Sequence, residues 1–255
     1  MQDLRHRLAL PPRQLTNKVM QLKLYFSPGT CSLVPLIALE ETGAPFETSL
    51  LKFAIGEHKS AEYLQVNPKG KVPTLLVDGR PLTENIAIAS FLVRSFPQSR
   101  LLPMGSSAWT EAEALVDLAW CASTVHPIVT RIVLPQLFCD LPAGVERVWT
   151  LAIEAMQANF TLIDQRLESR PWFLGDWSIV DAYLFWIWGQ AAAGGFDASG
   201  YHHYANHAAR MGARPSVQRA LGREAQAHAW LEKGGFAMKL PPPPGSSPRN
   251  TGHSW

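Results

Sequence analysis

Two regimes of pattern divide the chain and predict its fold class, a small α/β domain followed by an all-helical domain. Up to about residue 97, short alternating apolar runs that suit strands take turns with helical runs. From about residue 109 only helical periodicity is found, and residues 99–107 between them read as a linker. The domains are therefore placed at 21–98 and 108–235, which a chain of 255 residues can accommodate.

In the first domain Leu22, Leu24 and Phe26 alternate with Lys23 and Tyr25, the pattern of a half-buried strand. Ser27-Pro28-Gly29-Thr30 is turn chemistry. From Ser32 the spacing turns helical, with Leu33, Leu36 and Ile37 on one face and Gly43 as the stop. A second strand is expected over 46–51 and a short helix over 59–65. Strands over 74–77 and 80–82 are joined by Asp78-Gly79, a two-residue hairpin signal. Residues 84–96 form a helix with Ile88, Phe91 and Leu92 on one face.

In the second domain a helical run over 109–138 is interrupted by Pro127 and Pro135. The helix over 145–169 carries Met156, Phe160, Ile163 and Leu167 on one face. The run over 179–193 is apolar on nearly all sides, so it is expected to be the central buried helix. Helices over 201–211 and 215–221 complete the domain. Residues 1–20 read as a basic, Pro-broken leader or extended start without structure, and 236–255 as a Pro-rich disordered tail.

Composition excludes several classes. A hydrophobic content of 47% with 17% charge is that of a globular chain with a real core. A net charge of +2, with both signs interspersed, makes no case for nucleic acid. No apolar run is long enough to span a bilayer; the nearest, 179–193, contains Asp181 and Gly189. Cys31, Cys121 and Cys139 are odd in number and far apart, without CxxC or metal-ligand spacing. A disulfide framework and a metal are not expected, and a reducing cytoplasm fits best.

Cys31 stands where a strand and turn open a helix. Unpaired N–H groups and the dipole there favour an anion and predict a depressed thiol pKa. The other reading of Cys31 is a small buried core residue. Asn67 to Thr74 (NPKGKVPT) precedes the third strand. Pro73 is an ordinary turn proline, or it makes a cis peptide that leaves Val72 free to pair with an extended peptide. Thr83-Glu84-Asn85 is a helix cap, or a receptor in which helix N–H groups and Asn85 take a carboxylate and Glu84 an ammonium. Ser178 and Asp181 are read as a capping box. His126, immediately before Pro127, is a packing residue, or is aimed into a cleft by a bend at the proline. His202, His203 and His207 are read as surface residues.

Four stretches carry a resemblance: 23–33 (KLYFSPGTCSL), 67–75 (NPKGKVPTL), 82–88 (LTENIAI) and 178–185 (SIVDAYLF). In this order, on these elements, the chain resembles a cytosolic glutathione transferase of the bacterial beta class. The resemblance implies a thioredoxin-like N-terminal domain, an all-α helical-bundle C-terminal domain and a homodimer. It implies glutathione as substrate with a small electrophile as its partner, and neither metal nor nucleotide. Cys31 then matches the cysteine beside the glutathione sulfur, with Ser32 as a hydroxyl donor and His126 as the histidine facing the thiol. Val72, before Pro73, matches the residue that pairs with the tripeptide backbone. Glu84 and Asn85 match the pair at the γ-glutamyl end, and Lys52 the lysine near the glycine carboxylate. Asn85 replaces a usual serine, Ala119 stands in place of an asparagine, and Phe26 replaces the tyrosine of related classes. The expected activity is transfer of the glutathione thiolate to an electrophile. The alternatives are monothiol disulfide reduction through Cys31, since Val34 replaces the second cysteine of a CxxC, and a non-catalytic glutathione-binding module.

Overall fold

Alternation along β1 (Leu22–Phe26) sends Leu22, Leu24 and Phe26 into the first core. The structure, a computed structural model, describes residues 20–103, 107–240 and 242–244. β2 (Glu47–Leu50), β3 (Thr74–Val77) and β4 (Arg80–Thr83) complete a four-stranded sheet of order β2-β1-β3-β4. β1 pairs parallel with β2 and antiparallel with β3, placing Leu24 opposite Leu75; β4 is antiparallel to β3. Asp78 and Gly79 both have positive φ, the turn that a two-residue hairpin requires. Pro81 lies on β4, an edge strand, where a missing N–H is tolerated.

A parallel pair needs a crossover, supplied by α1 (Leu33–Thr42). Every residue of α1 from Leu33 to Glu40 is buried, because α1 packs against α3 (Asn85–Ser95) on one side and two helices of the second domain on the other. A short α2 (Ala61–Val66), capped by Ser60, lies between β2 and β3.

The second domain contains α4 (Ala108–Trp120), α5 (His126–Val133), α6 (Pro142–Leu167), α7 (Ile179–Ala193), α8 (His202–Gly212) and α9 (Pro215–Lys233). α7 is its centre, with Ile179 to Leu184 all buried. Asp181, fully buried, closes the expected capping box: Oδ2 accepts from Ser178 N at 2.8 Å and Ser178 Oγ at 3.1 Å. Asp181 Oδ1 takes Phe173 N at 2.8 Å and faces His207 Nε2 at 2.9 Å. His207 is therefore no surface residue: it is fully buried, because α8 turns it onto a carboxylate from another helix.

The domains are joined by charge as well as by apolar packing. Glu40, buried at the end of α1, accepts from Arg219 Nε at 2.7 Å and Arg223 Nε at 2.6 Å, both on α9. Glu41 accepts from Arg214 Nη2 at 2.6 Å. The linker also packs: Leu101 and Leu102 are buried, and Leu101 O takes the Ile179 N–H at 2.7 Å.

Three expectations change. α9 does not end near residue 221; it continues through Gly222 to Lys233 and stops at Gly234-Gly235. A helix-interior glycine costs about 1 kcal/mol, and the Arg219 and Arg223 contacts to α1 hold α9 on either side of it. The interruption at Pro127 is a π turn over Cys121–Val125, in which His126 N–H bonds Cys121 O. The tail is placed at its start: Phe236 N donates to Leu231 O at 2.8 Å and its ring stacks on Trp230. The leader over 1–19 and the end of the tail over 245–255 lie outside the described residues.

Candidate active site

The loop between β1 and α1 is pinned at Gly29, whose φ of +74° is open to glycine. Its N–H donates to Glu224 Oε1 on α9 at 3.2 Å, and its carbonyl accepts from Trp186 Nε1 on α7 at 3.3 Å. Thr30 Oγ1 donates to Ser27 O at 2.7 Å and lies 2.9 Å from Ser32 Oγ. Ser32 is fully buried. The structure thus does not bring the Ser32 hydroxyl to the cleft; it sits under the loop and supports Thr30.

Cys31 is half-buried, with its Sγ 3.8 Å from Val72 O. The Val72–Pro73 peptide is cis, and β3 begins only at Thr74, so Val72 lies outside the strand ladder. Burial pushes the Cys31 thiol up to about 12, against the pull of the Asn85 amide. This overturns the depressed pKa expected from a helix N-terminus. The helix begins two residues later, at Leu33, and loss of hydration outweighs what the dipole gives at Cys31.

Asn85 is buried at the first position of α3, and its Nδ2 donates to Cys31 O at 3.3 Å and to Tyr183 Oη at 3.4 Å. Tyr183 Oη is 2.8 Å from His126 Nδ1. Burial raises the Tyr183 phenol far above its ordinary range, so it is a neutral hydroxyl. Burial, with Lys71 nearby, lowers His126 to about 4, so its imidazole is neutral at neutral pH. The two neutral groups share this hydrogen bond; with the hydroxyl as donor to Nδ1, the ring proton resides on Nε2. Trp186 meets the His126 ring edge-on, with centroids 4.5 Å apart. α5, α7, α3 and the β1–α1 loop thereby form one connected wall.

At the start of α3, Glu84 and not Thr83 is the N-cap; Thr83 ends β4. Glu84 has φ 73° and ψ 129°, a strained conformation for a residue with a Cβ, and such strain clusters at ligand sites. Its exposed carboxylate meets the Lys69 ammonium at 2.5 Å. Asn85 Oδ1 is buried without a hydrogen-bond partner. The Asn85 amide donates to two internal acceptors, Cys31 O and Tyr183 Oη, where the sequence suggested a donor to a ligand. Lys52 follows β2; its Nζ is 3.9 Å from Glu57 Oε1 and lies over the rings of Trp230 and Phe236.

Cys31, Val72, Asn85 and His126 are thus linked directly or through Tyr183, with Glu84 beside Asn85. Sequence reasoning read Trp186 as core and gave no site role to Tyr183, Lys69, Gly29 or Glu224. Tyr183 and Trp186 lie in an apolar helix, where an aromatic reads as core. Lys69 was visible three residues before Val72, but nothing local paired it with Glu84. Among the described residues no group of His, Cys, Asp or Glu is arranged to hold a metal, and no helix is long and apolar enough to cross a membrane.

Residues 20–94 match the model for the glutathione S-transferase N-terminal domain. The glutathione S-transferase GstA of Escherichia coli O157:H7 is 33% identical over 208 residues, 80% of this chain and 98% of that protein. The chain belongs to the glutathione S-transferase family. Two solved members agree in fold over both domains. A sphingomonad glutathione S-transferase complexed with glutathione has 34% identity and a TM-score of 0.69, covering 79% of this chain and 98% of that one. The beta-class glutathione S-transferase of Sphingomonas chungbukensis has 31% identity, the same TM-score and the same coverage. The thioredoxin-like sheet followed by a helical region, expected from the sequence, is thus the glutathione S-transferase fold.

Proposed function

We propose that the protein is a beta-class glutathione transferase that joins the glutathione sulfur to a small electrophile, a detoxifying reaction carried out by a cytoplasmic homodimer. The observation that carries this reading is the buried, unpartnered Asn85 Oδ1 beside the strained Glu84, both at the N-terminus of α3. Two acceptors next to unpaired first-turn N–H groups suit the ammonium and carboxylate of an amino-acid terminus, such as the γ-glutamyl end of glutathione. Lys69 already places an ammonium on Glu84. The beta-class assignment is supported by the likeness to the Sphingomonas chungbukensis structure and by Cys31 in the loop before α1. Trp109 and Val116, two turns apart on α4, are exposed and give a second copy an apolar face to cover.

In this reading the tripeptide lies extended along Val72, whose backbone takes its cysteinyl N–H and C=O. That pairing frees the Cys31 S–H from Val72 O to face the incoming sulfur. Glutathione gives up its thiol proton to solvent; the sulfur forms a C–S bond while the electrophile's leaving group departs with its electron pair. Cys31 S–H and His126 Nε2–H supply neutral donors to the thiolate. A thiol near 8.5 needs a downward shift of about two units to be mostly ionised at neutrality. Monothiol disulfide exchange needs Cys31 itself as thiolate, which its burial opposes. The expected result is saturable heat in a glutathione titration and glutathione-dependent conjugation of chlorodinitrobenzene. Absence of both would sink the proposal. Binding without turnover would leave a glutathione-binding module.

A further inference from the structure

We infer that Trp230 and Phe236, at and just after the end of α9, are specificity-determining residues that form an aromatic lid on Lys52 and restrict this end of the site to one small free carboxylate. The inference rests on the glutathione reading above and deepens it.

The lid is built, because its return turn has specific requirements. α9 ends at Gly234-Gly235, where Gly235 has φ +73° and its N–H bonds Glu232 O at 3.0 Å. The chain then folds back, Phe236 N bonding Leu231 O at 2.8 Å. A Cβ at Gly234 would come within 2.8 Å of the Phe236 ring. The result stacks Phe236 on Trp230, with centroids 6.3 Å apart and planes 25° apart. Both rings face the same ammonium: Lys52 Nζ is 5.1 Å from the Phe236 centroid and 5.6 Å from that of Trp230.

Lys52 is thereby stripped of water on its ring-facing side. Among the described residues its carboxylate neighbour is Glu57, 3.9 Å away and beyond hydrogen-bond reach. The Glu57 carboxylate is instead held by the Lys52 backbone N–H, 2.7 Å from Oε2. An ammonium donor thus remains for a second anion in a place bordered on one side by the two stacked rings. The same helix holds the β1–α1 loop through Glu224, which ties the lid to the wall of the cleft. A carboxylate ending an extended peptide would meet the Lys52 ammonium on the side the rings leave open, next to their edges; an esterified or lengthened terminus loses the charge pair and meets the rings.

The test compares glutathione with its glycyl monoethyl ester in calorimetry and steady-state kinetics. The proteins are wild type, Phe236→Ala, Phe236→Leu, Gly235→Ala and Lys52→Met, each checked for an unchanged melting curve. The expected result is a wild-type preference for the free acid of tenfold or more in KM. Phe236→Ala and Gly235→Ala should cut that preference at least threefold with kcat within twofold of wild type, and Phe236→Leu should retain part of it. An undiminished preference in Phe236→Ala and Gly235→Ala overturns the lid. If Lys52→Met leaves glutathione affinity and the preference unchanged, Lys52 is outside the thiol site; the lid then fails while the glutathione function stands. Wild type that binds neither form overturns both.

Discussion

Tyr183 Oη on α7 lies 2.8 Å from His126 Nδ1 on α5, and Asn85 Nδ2 on α3 donates to the same oxygen at 3.4 Å. Three elements from two domains thus meet at one hydroxyl. Tyr183→Phe removes the donor that keeps the His126 proton on Nε2 and leaves the Asn85 amide short of an acceptor. Conjugation measured as kcat/KM should fall about tenfold, an effect of about 1.4 kcal/mol, with a stability loss of about 1 kcal/mol in urea. Unchanged kinetics would detach the phenol from the site.

His126 should leave a signature in acid. Its folded pKa of about 4 lies below the ordinary 6.5, so folding favours the neutral ring. That contribution is complete above about pH 6.5 and is lost as pH falls toward 4. Glu224, raised to about 7 by burial, acts with the opposite sign over 4.5 to 7, and does so equally in a His126 variant. Between pH 7.5 and 5, wild type should therefore lose about 1 to 2 kcal/mol more stability than His126→Gln. Parallel losses in the two proteins, read from urea midpoints, would contradict the depressed pKa.

Cys31 should react slowly with disulfide reagents at pH 7, because burial holds it as the thiol. Its labelling should accelerate with pH well past the range of an ordinary cysteine, while the fully buried Cys121 stays silent in the folded protein. Cys31→Ala should abolish the mixed disulfide at that position, leaving only what the part-exposed Cys139 forms, but reduce conjugation less than tenfold, since the reacting sulfur belongs to glutathione. Rapid labelling of Cys31 at neutral pH would restore the activated-thiolate reading.

Asp181 is fully buried and serves four donors, from Phe173 N, Ser178 N, Ser178 Oγ and His207 Nε2. Asp181→Ala should cost about 3 kcal/mol or more, because those donors are left in a dry interior. Ser178→Ala, which removes only one hydroxyl, should cost about 1 to 2 kcal/mol. Glutathione affinity of the folded fraction should not change in either. A loss of affinity at unchanged urea midpoint would move the box into the ligand site.

The amino-acid sequence by itself determined what depends on neighbours a few positions apart. Strand alternation over β1, the Asp78-Gly79 turn, the Ser178–Asp181 box and the order of α/β then all-α elements all have partners within one turn or one hairpin. The family motifs around Cys31, Val72 and Glu84 were legible for the same reason. Tertiary structure alone decided the state and company of the side chains. Trp186 reaches Gly29 across 157 residues, Glu224 reaches it across 195, and Tyr183 meets Asn85 across 98. It buried Ser32 and His207, held Cys31 as a thiol and carried α9 past Gly222. Periodicity says which face of a helix is apolar, but not which polar group another element will bring to it. A thiol's pKa is set by the water that distant elements displace, so a local dipole argument gave its sign wrongly.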